Sequence, residues 1–449
     1  MCRGLNNGLM SRDRKIMKQQ RIPWLDTTKG LAILLVVLGH VTFLPMPVLG
    51  VIYAFHMPLF FFLSGILLFR KREPFVPFLK KKVRTLIVPY YLFLLLQVAV
   101  LAPVAALGFH HAGAYLPGVG ALAGGSELWF LFALFFVEML LFVPAQWLSR
   151  EQLAIGGGII LAMAIVALRH NDVTGPVPHE GFRGSTLPYG LDILFLGGFF
   201  VVSGMAMGKW LLERKVPVWV AVLALAVAVV CGVMNYRVCG SYHVEIIESF
   251  IGNPVLFLLT AIGAILCFVA ICQRLPDGRL IGWCGRLSLA IYAVHWIFVP
   301  FVDAPIYNFM LPLVQDAGVG SIGSELLLPD ACLLEPERLA GEALGSGILQ
   351  DADLGSVEST LDSGFLDADA GLGSVDSSQV SVVLFQDAEL SSVGDFFGIG
   401  VVLQSLVPFL WRSLCGLVAF VLITLLTLPA VRLIEKWCPW MMGKGFVVF

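Results

Sequence analysis

The chain has 449 residues, of which 58% are hydrophobic and 13% are charged, and its mean hydropathy is +0.88. Soluble domains carry about 25% charged residues, so this composition excludes an ordinary soluble protein and indicates a polytopic membrane protein. The formal net charge of −2 is uninformative because it sums a basic membrane body and an acidic segment. We expect the lipid bilayer, and no nucleic acid, among its partners.

Apolar runs of about 18 residues or more mark candidate transmembrane spans. Ten such runs occur, at residues 30–48, 50–69, 85–107, 128–148, 153–168, 190–208, 216–234, 254–272, 287–304 and 404–431. The sequence therefore predicts an all-α bundle of about ten transmembrane helices. We divide it into a core of nine spans (1–314), an insert (315–399) and a last helix with its tail (400–449).

Lysine and arginine are distributed unevenly between the connecting segments, and they mark the cytoplasmic side. If the N-terminus is cytoplasmic, the dense basic runs fall inside, and the outer segments keep Arg169, Arg183, Arg237, Arg338 and Arg412. Residues 1–21 show no signal-peptide pattern, so we expect the first span to direct insertion. Both termini are predicted in the cytoplasm.

The first span carries an ammonium and an imidazole on one helix face. Lys29 and His40 are 11 positions apart, which returns to nearly the same face about 16 Å further along the axis. A histidine at membrane depth usually faces protein or water, and it accepts a proton near neutral pH. This pattern favours a working residue of an enzyme, and the alternative is a packed, hydrogen-bonded histidine.

The second span carries His56, followed by Pro58, which removes a backbone donor and bends a helix. Carbonyl groups released in this way are tolerated at membrane depth where they line a wet cavity. We expect His56 to line the same cavity as His40, and a simple helix bend with a satisfied histidine is the alternative.

A basic run opens the third span, at Lys81, Lys82 and Arg84. Most such runs fix the topology and bind anionic lipid headgroups. This run is dense and lies on the same predicted side as Lys29, so binding of the phosphates of a large anionic donor is the other interpretation.

Two further spans carry polar residues suited to a binding pocket. Glu127 and Trp129 open the fourth span, where a carboxylate suits a helix N-terminus and an indole offers a flat face to a sugar ring. Ser288, Tyr292 and His295 recur at spacings of four and three, so they share one helix face, which we expect to point at the bundle centre. Glu138 is a mid-span carboxylate for which the sequence suggests no partner.

Residues 315–399 differ in composition from the rest of the chain. They are rich in Asp, Glu, Gly and Ser, and Arg338 is their one basic residue. This composition predicts a mostly disordered acidic loop outside the membrane. We assign it no function. The nine cysteines show no metal-ligand spacing, and no metal site is expected.

These motifs resemble those of acyltransferase family 3, the integral-membrane O-acyltransferases, and most closely the fucose 4-O-acetylase-like sugar acetyltransferases. The resemblance covers residues 21–315 and 400–435. It rests on Asp26-x-x-Lys29-Gly30 leading to His40, His56-Met57-Pro58 to Ser64-Gly65, Lys81-x-x-Arg84 before Pro89-Tyr90, Leu128 to Leu131, and Ser288-x-x-x-Tyr292-x-x-His295. The insert falls outside the family pattern.

The resemblance implies about ten helices in a bacterial inner membrane, with an acyl-CoA donor, commonly acetyl-CoA, taken from the cytoplasm. It also implies transfer to a carbohydrate hydroxyl, with the first-helix histidine essential. His40 would be the base or a covalent acyl carrier, helped by Asp26 and His56, while the cations Lys29, Lys81, Lys82 and Arg84 hold coenzyme A.

We expect Glu127, Trp129, Ser288, Tyr292 and His295 to meet the acceptor. A proton-coupled secondary transporter is the rival interpretation, because kinked spans with intramembrane histidines also describe a carrier. The halves show no inverted repeat, which counts against a carrier.

Overall fold

A computed structural model describes residues 22–41, 44–68, 74–118, 121–122, 126–149, 151–161, 163, 191–239, 246, 251–276, 278–316 and 399–442. All regular secondary structure in these ranges is helical, which confirms the predicted all-α class. Residues 1–319 and 411–449 form one compact unit, and residues 320–410 form a second. Of the second unit the structure describes residues 399–410, which are helical.

The first half of the chain supplies α1 (Pro23–Gly39), α2 (Met46–Tyr53), α3 (His56–Leu68), α4 (Phe75–Lys82), a π-helical turn (Val83–Ile87), α5 (Val88–Ala106), a 3-10 turn (His110–Tyr115), α6 (Trp129–Trp147) and α7 (Glu151–Leu161). The second half supplies α8 (Leu191–Glu213), α9 (Val218–Cys239), α10 (Pro254–Cys272), α11 (Arg279–Arg286), α12 (Ser288–Asp316), α13 (Ile399–Trp437) and a 3-10 turn (Pro439–Met442).

Among the described residues, seven helical segments are long and apolar enough to cross a membrane, and the protein is a multi-pass membrane protein. An eighth crossing is added if α11 and α12, which meet at 85°, count as one span. The first predicted span corresponds to α1, which has 17 residues, and the fifth to the short α7. The number ten therefore stays a prediction. The predicted insert lies outside the described residues except at its edges, 315–316 and 399.

The predicted bounds of the first span, 30–48, are wrong, whereas the second, 50–69, corresponds to the apolar segment Pro47–Leu68. α1 begins at Pro23, because a proline in the first helical turn loses no hydrogen bond, and it ends at Gly39. The chain turns at His40, and a new helix begins after Pro45. An unbroken helix through 48 is excluded because prolines at 45 and 47 cannot donate to the preceding turn.

Glycines bring two pairs of helices into backbone contact. A Cβ at Gly30 of α1 would collide with the backbone oxygen of Ile281, and one at Gly285 of α11 would collide with that of Asp26. Helices in membranes associate by close packing, and small residues permit it. This contact fixes the Lys29 turn of α1 against the start of α12, where the candidate site begins.

The same device joins α3 to α8. A Cβ at Gly65 would meet the backbone oxygen of Val201, and one at Gly204 would meet that of Phe62. α3 is consequently almost fully buried, with Phe61, Phe62 and Leu63 each at most 1% exposed. Its Ser64 faces the interior of the bundle.

Candidate active site

A cavity of about 250 Å³ lies inside the bundle, between α1, α3, α6 and α12. Its walls are mostly apolar, with a small set of polar side chains. Its described lining residues are Lys29, Ile33, Val36, Met57, Phe60, Ser64, Leu67, Lys82, Leu86, Phe130, Leu131, Leu134, Glu138, Ser288, Leu289 and Tyr292. An apolar pocket with a few convergent polar groups is typical of a small-molecule site.

The cavity carries an ion pair that the sequence did not reveal. Lys82 Nζ donates to Glu138 Oε1 at 2.7 Å and lies 2.6 Å from Oε2, and Ser64 Oγ donates to Oε1 at 2.6 Å. Glu138 is 2% exposed. A buried carboxylate is stable when it is paired and hydrogen-bonded, and this one has both kinds of partner.

The predicted basic run is divided by the structure into an inner and an outer part. Lys82 points inward, with its ammonium also 5.5 Å from the Phe78 ring. Lys81, one residue earlier in α4, is exposed, and Arg84 lies in the π-helical turn that follows. The run is therefore not one surface patch.

Lys29 and Lys82 line the same cavity, and the sequence alone did not show that they would. The charged groups that act on its ammonium include Asp26, one turn earlier in α1, together with Lys82 and Glu138. Two cations and two carboxylates thus compensate one another at this end of the site.

Two histidines meet about one helical turn beyond the cavity wall. His40 follows the lining residue Val36 on α1, and His295 follows the lining residue Tyr292 on α12. Nε2 of His295 lies 3.2 Å from Nδ1 of His40, although the residues are 255 positions apart. His295 is fully buried, and the His40 ring also contacts the Trp296 ring, with centroids 4.4 Å apart.

Main-chain carbonyls define the tautomers of this pair. Nδ1 of His40 lies 2.8 Å from Val36 O, and Nδ1 of His295 lies 3.1 Å from Ile291 O. Because a carbonyl oxygen only accepts, the hydrogen-bond network assigns the proton to Nδ1 in both rings. The Nδ1–H of His40 is shared between Val36 O and the His295 lone pair. In the neutral form of His40, Nε2 then carries the lone pair and is able to act as a base.

His56 is close to this pair but not in contact with it. Its Nδ1 lies 2.8 Å from Ile52 O, and its ring is 5.0 Å from that of Tyr53, which in turn is 6.2 Å from that of His40. Tyr53 also donates a hydrogen bond to Gly39 O at 3.2 Å. The Tyr53 ring thus neighbours both predicted histidines, and neither histidine is among the described lining residues of the cavity.

The other predicted site residues divide between the cavity and the structure around it. Ser288 and Tyr292 line the cavity, and Tyr292 Oη donates to the backbone oxygen of Glu127 at 2.6 Å. Trp129 is half-buried and packs against Phe130, outside the described lining residues. Glu127 and Trp129 therefore belong to the segment that clamps α12, while Ser288 and Tyr292 face the cavity.

Sequence reasoning missed the roles of Glu138, Ser64 and Trp296. Glu138 gave a signal, as a lone carboxylate in an apolar span, but its partner Lys82 lies 56 positions away in a run that suggested surface contacts. Trp296 adjoins His295 in sequence, and its contact with His40 depends on the packing of α1 against α12. Its indole nitrogen is buried and has no hydrogen-bond partner among the described residues.

A family model described as an acyltransferase domain matches residues 22–324. The chain belongs to this acyltransferase family. No curated protein and no solved structure matches the chain. The matched range contains the cavity, the Lys82–Glu138 pair and the His40–His295 pair, so all these features lie within the acyltransferase domain.

The arrangement contains two kinds of group that acyl transfer can use. An imidazole with a bare nitrogen, at the end of α1, is suited to take a proton from a hydroxyl group. Lys81 and Arg84, at the other end and outside the described cavity lining, are of the residue type that binds phosphate groups. The walls between them are mostly apolar.

Proposed function

We propose that this protein transfers an acetyl group from acetyl-CoA to a hydroxyl group of a cell-surface or lipid-linked carbohydrate. The observation that carries the proposal is the His40–His295 pair, one helical turn beyond a cavity that has Lys29 and Lys82 in its wall. The resemblance to sugar O-acetyltransferases supports the acetyl donor and the carbohydrate acceptor.

The reaction uses His40 as a general base. Nε2 takes the proton of the acceptor hydroxyl, whose oxygen attacks the thioester carbonyl to form a tetrahedral intermediate. The C–S bond then breaks, the ester remains on the sugar, and the imidazolium returns the proton to the thiolate of coenzyme A. General acid–base catalysis of this kind contributes about 10²–10⁴-fold to the rate.

The supporting roles follow from distance to this ring. His295 fixes the His40 tautomer through the 3.2 Å contact. His56, whose ring is 5.0 Å from that of Tyr53, tunes the same region. Asp26 is one turn from Lys29 and balances its charge at the donor end.

The donor enters from the side of the bundle that carries α4. Lys81 and Arg84 lie at this end, outside the described lining residues of the cavity, and suit the phosphates of coenzyme A. The acceptor approaches from the opposite end, where Tyr292 and the aromatic rings around His40 offer hydroxyl and stacking contacts. By the positive-inside rule, the donor end and both termini are cytoplasmic in a bacterial inner membrane.

The test is transfer of labelled acetyl groups by the purified protein. Incubation with acetyl-CoA labelled in its acetyl group and a panel of oligosaccharides should give labelled, alkali-sensitive sugar esters and one equivalent of free thiol per ester. NMR spectra of the surface polysaccharide from cells with and without the protein should differ in their ester signals. Absence of both the ester and the thiol would overturn the proposal.

A further inference from the structure

The Lys82–Glu138 pair lies in an unfavourable place for a purely structural ion pair. Its carboxylate is 2% exposed, and apolar residues of α1, α3 and α6 form most of the surrounding wall. Burying an ion pair costs desolvation free energy, and apolar side chains of similar volume often stabilise a fold as well or better. We therefore expect the Lys82–Glu138 pair to act on the molecule that the cavity binds.

The contacts with Glu138 hold the Lys82 ammonium against the cavity wall. Lys82 Nζ donates one hydrogen bond to Glu138 Oε1 at 2.7 Å and lies in ion-pair contact with Oε2 at 2.6 Å. An ammonium has three N–H groups, so Lys82 keeps donor capacity for an acceptor inside the cavity. Ser64 uses its own proton on Glu138, so its oxygen remains able to accept.

The charges in this region cancel rather than accumulate. Glu138 faces Lys82 directly, and Asp26 and Glu138 act on Lys29 with opposite sign to its own charge. A cavity built to bind phosphates would instead expose uncompensated cations. Near neutrality, together with apolar walls and a few hydrogen-bonding groups, suits an uncharged chain that carries amides.

We propose that Glu138 is a positioning residue that holds Lys82 against the cavity wall and keeps the cavity nearly neutral, so that the cavity takes the uncharged pantetheine arm of the donor. This inference rests on the proposed function, because it assumes a coenzyme A thioester. A remaining N–H of Lys82 donates to an amide carbonyl of the arm, and Ser64 Oγ accepts from an amide N–H. The phosphates remain outside, with Lys81 and Arg84.

The experiment measures binding of pantetheine, which has the arm but no nucleotide, and of coenzyme A to the purified full chain by saturation-transfer NMR and calorimetry. Glu138→Gln releases Lys82 from its anchor and leaves an unbalanced charge in the cavity. We expect its dissociation constants for both probes to rise at least tenfold. The matched control is Glu213→Gln, which breaks the exposed Lys209–Glu213 pair (3.7 Å) of α8 and should change neither.

Two double variants separate positioning from folding. Lys82→Met with Glu138→Met replaces the pair by apolar side chains, so it should keep the unfolding temperature while losing pantetheine affinity. Lys82→Glu with Glu138→Lys exchanges the charges across the same contact, and it should recover part of the affinity that Glu138→Gln loses.

The inference is overturned if Glu138→Gln binds pantetheine as the wild type does, or if the Met–Met variant keeps wild-type affinity. Binding of pantetheine without acetyl transfer would leave the inference standing and overturn the proposed function. A wild-type protein that binds neither probe overturns both.

Discussion

The two ends of the site stabilise polar groups inside a membrane protein in different ways. At the cavity, Lys82 and Glu138 keep full charges by direct pairing between α4 and α6. At the far end, His40 and His295 each bond a carbonyl of their own helix and meet as neutral rings. Under the proposed function, the charge-compensated end receives the donor and the histidine end transfers the proton. Mutations at the Lys82–Glu138 end and at the His40–His295 end should therefore have separable effects on donor binding and on rate.

The largest effect should come from His40→Ala, which removes the base from the histidine end and leaves the charged end intact. We expect the initial rate of ester formation to fall by about 10³-fold or more, since a general base contributes up to about 10⁴-fold. The affinity for coenzyme A should change less than twofold. Equal losses of rate and of coenzyme A affinity would show that the two ends are not separate.

His295→Ala should have the next largest effect, because it removes the ring that shares the Nδ1–H of His40. Partners that orient a functional imidazole are typically worth about 10–100-fold. We expect a loss of this size in kcat with little change in the KM for the donor. His295→Gln, whose side-chain oxygen can accept the same proton, is the matched control and should recover part of kcat.

Gly285→Ala tests whether stability and donor binding both depend on the backbone contact between α1 and α11. The added methyl group would collide with the backbone oxygen of Asp26, and overpacking of this kind costs about 1–3 kcal/mol of stability. We expect a lower unfolding temperature and weaker donor binding together. Gly158→Ala in α7, where a Cβ has no neighbour within 4 Å, is the control and should leave both unchanged.

Lys81→Ala should have the smallest effect, limited to the donor. An exposed cation contributes modestly and is screened by salt, so we expect the KM for acetyl-CoA to rise about threefold to tenfold at low ionic strength. The difference from the wild type should shrink in 0.5 M salt, and kcat should hold. A salt-independent loss in kcat would indicate that Lys81 acts inside the cavity instead.

Hydropathy and residue spacing in the sequence predicted a membrane protein, its helical structure and the helix face that carries Ser288 and Tyr292. Ser288 and Tyr292 share a helix face that can be read from their spacing of four, and both line the cavity. The inference for Ser288 and Tyr292 succeeds because one helix has a fixed period, whatever surrounds it. The shared face of Lys29 and His40 stays a prediction, because α1 ends at Gly39, one residue before His40.

Contacts between distant helices could not be predicted in the same way. The partners Lys82 and Glu138, and likewise His40 and His295, are joined by packing that no single helix encodes. The turn after Gly39 was hidden because the residues on both sides of it are apolar, so hydropathy shows no break there. The backbone contact at Gly285 depends on the facing carbonyl of Asp26, which is invisible in a string of residues.

The carbonyl of Val36 has a kinetic consequence for turnover. It occupies the Nδ1 edge of His40, so one nitrogen, Nε2, remains for chemistry. An acyl group attached there would leave the incoming alcohol without that nitrogen as its proton acceptor. Direct transfer of the acetyl group within a ternary complex is therefore favoured over a ping-pong mechanism through an acyl-histidine. Double-reciprocal plots of the rate at several acceptor concentrations should intersect rather than run parallel.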